Sequence, residues 1–233
     1  PWLDERQLSA PPSKGKSAAT YMLDRAGLPP QIRVTIKKES LMFPIIRMAK
    51  DVIVAARQAP LDNLTDTHVS HHICWPHDLD IWMELNNGRA LSLYDLGRTA
   101  MAQRAGLITL LRQNKWAITI AGSSTRFRRR IRMFEKFEMR SRTLCWDDKF
   151  IYLEQSMWKK NGECASHVLY RSAVTDRNGL IPPEKVLRAM GRQQPSPEVP
   201  GWVAEWIRAD SQRPWPPMQD GAPVPEAAPH FSA

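Results

Sequence analysis

The sequence predicts an α+β domain in which an antiparallel sheet packs against one long helix. Three observations lead there. Proline is concentrated at the ends, with seven in residues 1–60, three in 61–191 and nine in 192–233. A ladder that needs every backbone N–H tolerates few prolines, so the ordered core is expected at 61–191. Inside it, Asn87 to about Ala105 has helical periodicity, and four stretches of strand character follow. One helix and a run of strands is an α+β pattern.

The elements are expected in this order. Residues 1–41, with "SAPPSKGKSA" and "GLPPQ", read as disordered or as a non-native extension. The chain opens on Pro1, and Met42 is a candidate for its native start. Residues 42–60 predict an amphipathic helix, with Ile45, Ala49, Val52 and Ala56 on one face. Arg47, Lys50, Asp51 and Arg57 lie opposite. Such a helix docks on its own domain, on a partner or on a membrane surface. "DTHVSHHICWP" has strand character.

The long helix follows, capped by Asn86 or Asn87. It buries Ala90, Leu93, Tyr94, Gly97, Ala100 and Met101. Gly97 would let another backbone approach closely. The strand candidates are "KWAITIAGSSTRFRRRIRMF", "KFEMRSRTLCWDD", "KFIYLEQSMWKKNGE" and "CASHVLYRSAVTD", with "DDK" and "KNGE" as turns. "IPPEKVLRAMG" closes the core with a short helix. Residues 192–233 read as a proline-rich tail with a short helix near 201–209, where Val203, Trp206 and Ile207 could latch onto the core.

Composition bounds the partners. The chain is 42% hydrophobic and 24% charged, as in globular proteins, and no apolar run reaches the ~18–20 residues of a membrane span. Cys74, Cys145 and Cys164 are odd in number and lack CxxC spacing, which fits a reducing, cytoplasmic setting. A net charge of +9 asks for an anionic partner. The basic residues are not interleaved with stacking aromatics, so nucleic acid is not the expected partner.

The stretch carrying the chemistry is "DLDIWMELNN", residues 78–87, just before the long helix. Two acids and two amides beside a helix start, followed by four strands, resemble the 4-hydroxybenzoyl-CoA thioesterase-like group of hot-dog fold acyl-CoA thioesterases. The usual pattern there is Asp-x-Asp-x-x-Gly-His-x-Asn-Asn. Asp78, Asp80, Asn86 and Asn87 match it; Met83 stands where Gly is usual and Glu84 where His is usual. The resemblance runs from about Asp66 to Gly191. "WMELNNGR" most resembles a bacterial branch of the group.

The resemblance implies a hot-dog fold, a sheet wrapped around one central helix, and hydrolysis of acyl-CoA thioesters. It implies a homodimer with the site between subunits, and it places the catalytic carboxylate at Asp80. Glu84 is the rival, because it puts another proton acceptor at a polar family position. The helix start at Asn86, Asn87 and Gly88 offers N–H groups for an oxyanion. Arg126, Arg128, Arg130 and Arg132, on one face of a strand, could meet the CoA phosphates. They could equally pair with Glu135 and Glu138 or face solvent. No cofactor and no metal is implied, although His68, His72 and Cys74 would share a strand face. The alternative reading is a catalytically silent hot-dog protein that binds acyl groups or a protein partner.

Overall fold

The computed structural model describes residues 44–217. Helix α1 spans Ile45–Ala56 and strand β1 His68–Ile73, with a 3₁₀ turn at Pro76–Asp78. Helix α2 spans Asn87–Arg104 and helix α3 Leu107–Asn114. Strands β2 (Ala117–Phe127), β3 (Lys136–Trp146), β4 (Ile151–Lys159), β5 (Cys164–Asp176) and β6 (Gly179–Ile181) follow. Helices α4 (Pro183–Ala189) and α5 (Gly201–Ser211) complete the described residues. The expectations for residues 1–41 and for the last residues of the tail lie outside them. The chain divides into two compact units between Pro197 and Glu198, and α5 belongs to the second.

The sheet is antiparallel, in the order β1-β3-β4-β5-β2, with β6 on the end of β5. Register shifts at Ile120/Gly122, Thr143/Cys145 and Met157/Trp158 mark bulges, which bend strands and strengthen twist. The sheet curls and its inner residues close on α2. Leu93, Tyr94 and Leu96 meet Phe137, Met139, Met157 and Val168 in the main core. This is the α+β, hot-dog arrangement.

Gly97 sits where α2 is tightest. A Cβ there would lie 2.7 Å from Ser141 Oγ and 3.1 Å from Gln155 Nε2, with Met139 Sδ closer still. The close neighbours are side chains of β3 and β4, not a second backbone. Gln155 uses the gap to donate to Tyr94 O at 2.9 Å and Ser141 Oγ at 2.8 Å.

Three local expectations need correction. First, α1 forms but presents a different face. Asp51, expected on the outer face, is buried with Ala55, whereas Ala56 is exposed and Ile45, Ala49 and Val52 are half-buried. Arg47, also expected on the outer face, reaches inward to Asp78 Oδ2 at 2.6 Å and Ile73 O at 3.0 Å. Second, the chain after α2 makes a further helix, α3, before any strand. Gly106, at φ +81°, turns the chain between the two. Third, β2 ends at Phe127, so Arg128, Arg130 and Arg132 do not continue a strand face from Arg126. The N–H groups of Arg128 and Arg129 both donate to Ala165 O, which ends the alternation.

Candidate functional site

The segment from Asp78 to Asn87 is a compact loop, so Asp78 and Asp80 do not alternate on extended backbone. Leu79 and Leu85 form an isolated bridge, Asp80 N–H donates to Glu84 O at 2.9 Å, and Leu85 N–H donates to Ile131 O at 2.8 Å. Glu84 bridges to Arg132. The tightness needs a left-handed residue, and Met83 supplies it at φ +59°. The resembling pattern has glycine at this position, the residue that takes a positive φ without steric cost.

The two acids have different surroundings. Asp78 is fully buried and accepts from Arg89 Nε at 2.7 Å, Arg47 Nη1 at 2.6 Å and Trp75 N–H at 3.0 Å. Burial alone would raise its pKa; the hydrogen bonds from Arg89, Trp75 and Arg47 outweigh it and hold the carboxyl below the ordinary range. Asp78 is an anchor that ties α1, the loop and α2 together. Its carbonyl also accepts from Asn86 N–H at 2.9 Å. Asp80 is half-buried, and its Oδ1 accepts from Trp82 N–H at 2.8 Å and from Glu84 N–H at 3.4 Å.

Beside the start of α2 lies a cavity of about 210 Å³. Glu84, Asn87, Ala90, Phe127, Arg128, Arg129, Arg130 and Ser166 are among its walls. The cap is Asn86, whose side chain accepts from Arg89 N–H at 3.0 Å. The N–H groups of Asn87 and Gly88 have no acceptor among the described residues. A Cβ on Gly88 would crowd Asn86 Oδ1 at 3.3 Å, so glycine keeps the cap uncramped. Arg130 Nε lies 2.7 Å from Glu84 Oε2. Arg129 pairs with Glu163 at 2.8 Å.

Of the residues singled out from sequence, Glu84, Asn87, Arg128 and Arg130 therefore come together, with Asn86 and Gly88 at the same helix start. Asp80 lies in the loop behind them, and Arg126 is exposed on β2 outside the cavity wall. Three contributors were not foreseen. Arg47 and Arg89 clamp Asp78, and Ser166 faces the cavity while bonded to Tyr94 Oη at 2.8 Å. No local signal links Arg47 to Asp78, since 31 residues separate them.

His68 and His72 are interior groups. His68 Nδ1 lies 3.2 Å from Arg104 Nη1, and His72 Nε2 lies 2.8 Å from Ser70 Oγ. Burial, reinforced by nearby cations, lowers their pKa values to about 4 and about 3. Among the described residues no three His, Cys, Asp or Glu side chains converge as metal ligands. All three cysteines are free. No described helix is long and apolar enough to cross a membrane.

Residues 74–207 match the family model of the thioesterase-like superfamily. The chain belongs to that superfamily. Protein THEM6 of Xenopus laevis is 37% identical over 164 residues, which cover 70% of this chain and 78% of that protein. A probable thioesterase of Saccharomyces cerevisiae is 26% identical over 54% of each chain. Both relatives are eukaryotic and lend no support to a bacterial branch. Among solved structures, a putative oleoyl thioesterase from Lactobacillus plantarum gives a TM-score of 0.51 at 10% identity. The match covers 58% of this chain and 56% of that one, and the likeness is one of fold. For a thioesterase-like protein, the cavity at the start of α2 is the candidate site.

Proposed function

We propose that this thioesterase-like protein hydrolyses acyl-CoA thioesters in the cavity at the start of α2. The observation that supports this reading is the gathering of a carboxylate, free helix N-terminal donors and arginines around one cavity. The thioester carbonyl oxygen would lie against the N–H groups of Asn87 and Gly88, where the helix dipole favours developing negative charge. Glu84 would take a proton from water as it attacks the carbonyl carbon. The C–S bond then breaks, and the CoA thiolate receives that proton. Arg128 would meet the CoA phosphates, whereas Arg130, paired with Glu84 at 2.7 Å, is too close to the thioester to reach them across the pantetheine arm and would instead orient Glu84.

The resemblance points instead to Asp80 as the carboxylate. Glu84 is preferred because it lines the cavity, while Asp80 Oδ1 serves the turn. The remaining expectation, a homodimer, is proposed at the edge strand β2, whose residues Ile118, Ile120 and Phe127 are exposed.

Hydrolysis of an acyl-CoA panel tests the reading. Glu84→Gln should lower turnover by about 10²–10⁴-fold, the scale of a lost acid–base group, with the fold intact. Asp80→Asn should cost much less. The reverse ranking moves the role to Asp80, and absence of turnover in the wild type favours a silent binding protein. Arg128→Ala should raise KM for acyl-CoA more than for an acyl-pantetheine thioester, which lacks the nucleotide phosphates.

A further inference from the structure

One wall of the cavity at the start of α2 carries a hydroxyl outside the roles assigned so far. Ser166 of β5 lines that cavity together with Asn87 and Ala90, and Ala90 stands about one turn along α2 from Asn87. It pairs across the sheet with Phe127 of β2 and Met157 of β4. The residue is only 4% exposed, so a group that reaches its hydroxyl does so largely out of bulk water.

Among the described residues, the Ser166 hydroxyl has one partner, Tyr94 Oη at 2.8 Å. The direction of that hydrogen bond follows from burial. Tyr94 is fully buried, and burial raises its pKa and keeps the phenol protonated. Ser166 Oγ is the acceptor within reach of the phenol proton. The opposite arrangement would leave a buried donor without an acceptor. Tyr94 therefore donates and Ser166 Oγ accepts. The proton of Ser166 itself is then directed away from Tyr94, on the side of the cavity. A neutral phenol is no base, so Tyr94 does not activate Ser166 as a nucleophile. It leaves Ser166 as a donor set in place before any ligand arrives.

We propose that Ser166 donates a hydrogen bond to the oxyanion of the reaction, beside the N–H groups of Asn87 and Gly88, and that Tyr94 is the positioning residue that aims it. The proposal rests on acyl-CoA hydrolysis in this cavity. As Glu84 takes a proton from water, the water oxygen bonds to the carbonyl carbon. The π pair moves onto the carbonyl oxygen, which Ser166 holds while keeping its own proton. When the carbonyl re-forms, the C–S bond breaks and the thiolate takes the proton from Glu84. Ser166 ends the cycle unchanged, and a donor fixed in advance needs no reorganisation.

The test uses the full chain. Ser166→Ala should lower kcat by about 10²–10³-fold, the scale of one lost oxyanion donor, and leave KM nearly unchanged. Ser166→Thr keeps a hydroxyl and should recover most of the loss. Tyr94→Phe should lower kcat by a smaller factor. The double variant should be no worse than Ser166→Ala, because Tyr94 acts through that hydroxyl. If Ser166→Ala does not fold, Ser166→Cys takes its place, with a smaller fall because S–H is a weaker donor. Two inhibitors read the same contact without turnover. Trifluoroacetonyl-CoA, which hydrates to a tetrahedral diol, should bind Ser166→Ala about tenfold or more weakly than wild type. Acetonyl-CoA, which stays a trigonal ketone, should bind both nearly alike.

Unchanged kcat in a folded Ser166→Ala protein overturns the proposal. So do equal weakening of both inhibitors, additive losses for Tyr94→Phe and Ser166→Ala, or labelling of Ser166 by a fluorophosphonate, which would make it a nucleophile. If Glu84→Gln abolishes turnover while Ser166→Ala keeps it, this inference fails and the hydrolysis reading stands. If the wild type hydrolyses no acyl-CoA, the hydrolysis reading fails and the inhibitor pair decides. A preference for the hydrate that Ser166→Ala loses supports the contact, and no such preference overturns it.

Discussion

Asp78→Asn should cost more stability than any other single change in the candidate-site loop. The carboxylate is fully buried, and its arginine partners are nearly so, with side-chain exposures of 17% for Arg47 and 11% for Arg89. Asparagine keeps the shape and one acceptor but removes the charge that both guanidinium groups face. Breaking a buried pair costs about 3–5 kcal/mol, and the residual solvent contact favours the lower end. At about 2–4 °C per kcal/mol for a chain of this size, a loss of ~3 kcal/mol lowers Tm by roughly 6–12 °C.

The pH dependence gives the sign. A carboxyl whose folded pKa is depressed contributes stability above its unfolded pKa, about 3.9, and loses it as pH falls through the lower folded value. The difference between wild type and Asp78→Asn should therefore be full at pH 7 and shrink below about pH 4. Thermal melts followed by circular dichroism at pH 3 to 7 measure it. Turnover should fall as well, because Asp78 O holds the Asn86 N–H and Arg89 belongs to the first turn of α2. A variant within about 1 kcal/mol of wild type at pH 7 would refute this account of the clamp.

Other consequences follow from single residues. Gly97→Ala gains about 1 kcal/mol of helix propensity but drives a methyl into Met139, Ser141 and Gln155, so denaturant melts should show a net loss of about 1–3 kcal/mol. Met83→Gly should leave stability unchanged or raise it by up to about 1 kcal/mol, since glycine adopts φ +59° without steric cost; a clear loss would show that the exposed Met83 side chain is held by contacts. Stability should decline as pH falls below about 6.5, because the unfolded chain protonates His68 and His72 while the folded one does not until about pH 4 and 3. Asp51, raised by burial, opposes that slope, so the check is whether His72→Gln flattens it.

Much of the fold was legible because it rests on local pattern. The β-rich runs, the asparagine cap and the Asn-Gly turn are short-range signals, and β2 to β5 and α2 appear close to where they were expected. The motif "DLDIWMELNN" likewise marked the loop that adjoins the candidate site, including the unusual Met83 in the glycine position. The sequence could not assign its carboxylates. By spacing alone Asp78 and Asp80 are equivalent; in the structure one is sealed by arginines from two helices and the other serves a turn.

The same holds for the arginines and for α1. Arg128 and Arg130 continue an alternation on paper, but two successive N–H groups share Ala165 O and the strand stops. Periodicity reads the apolar stripe of α1 as Ile45, Ala49, Val52 and Ala56, yet Asp51 and Ala55 are its buried residues, Ala56 is exposed, and Arg47 reaches inward to pair with Asp78. Periodicity reports what one element would bury if its partners were featureless. Which carboxylate is sealed depends on charges 11 and 31 residues away that only the closed structure brings within 3 Å.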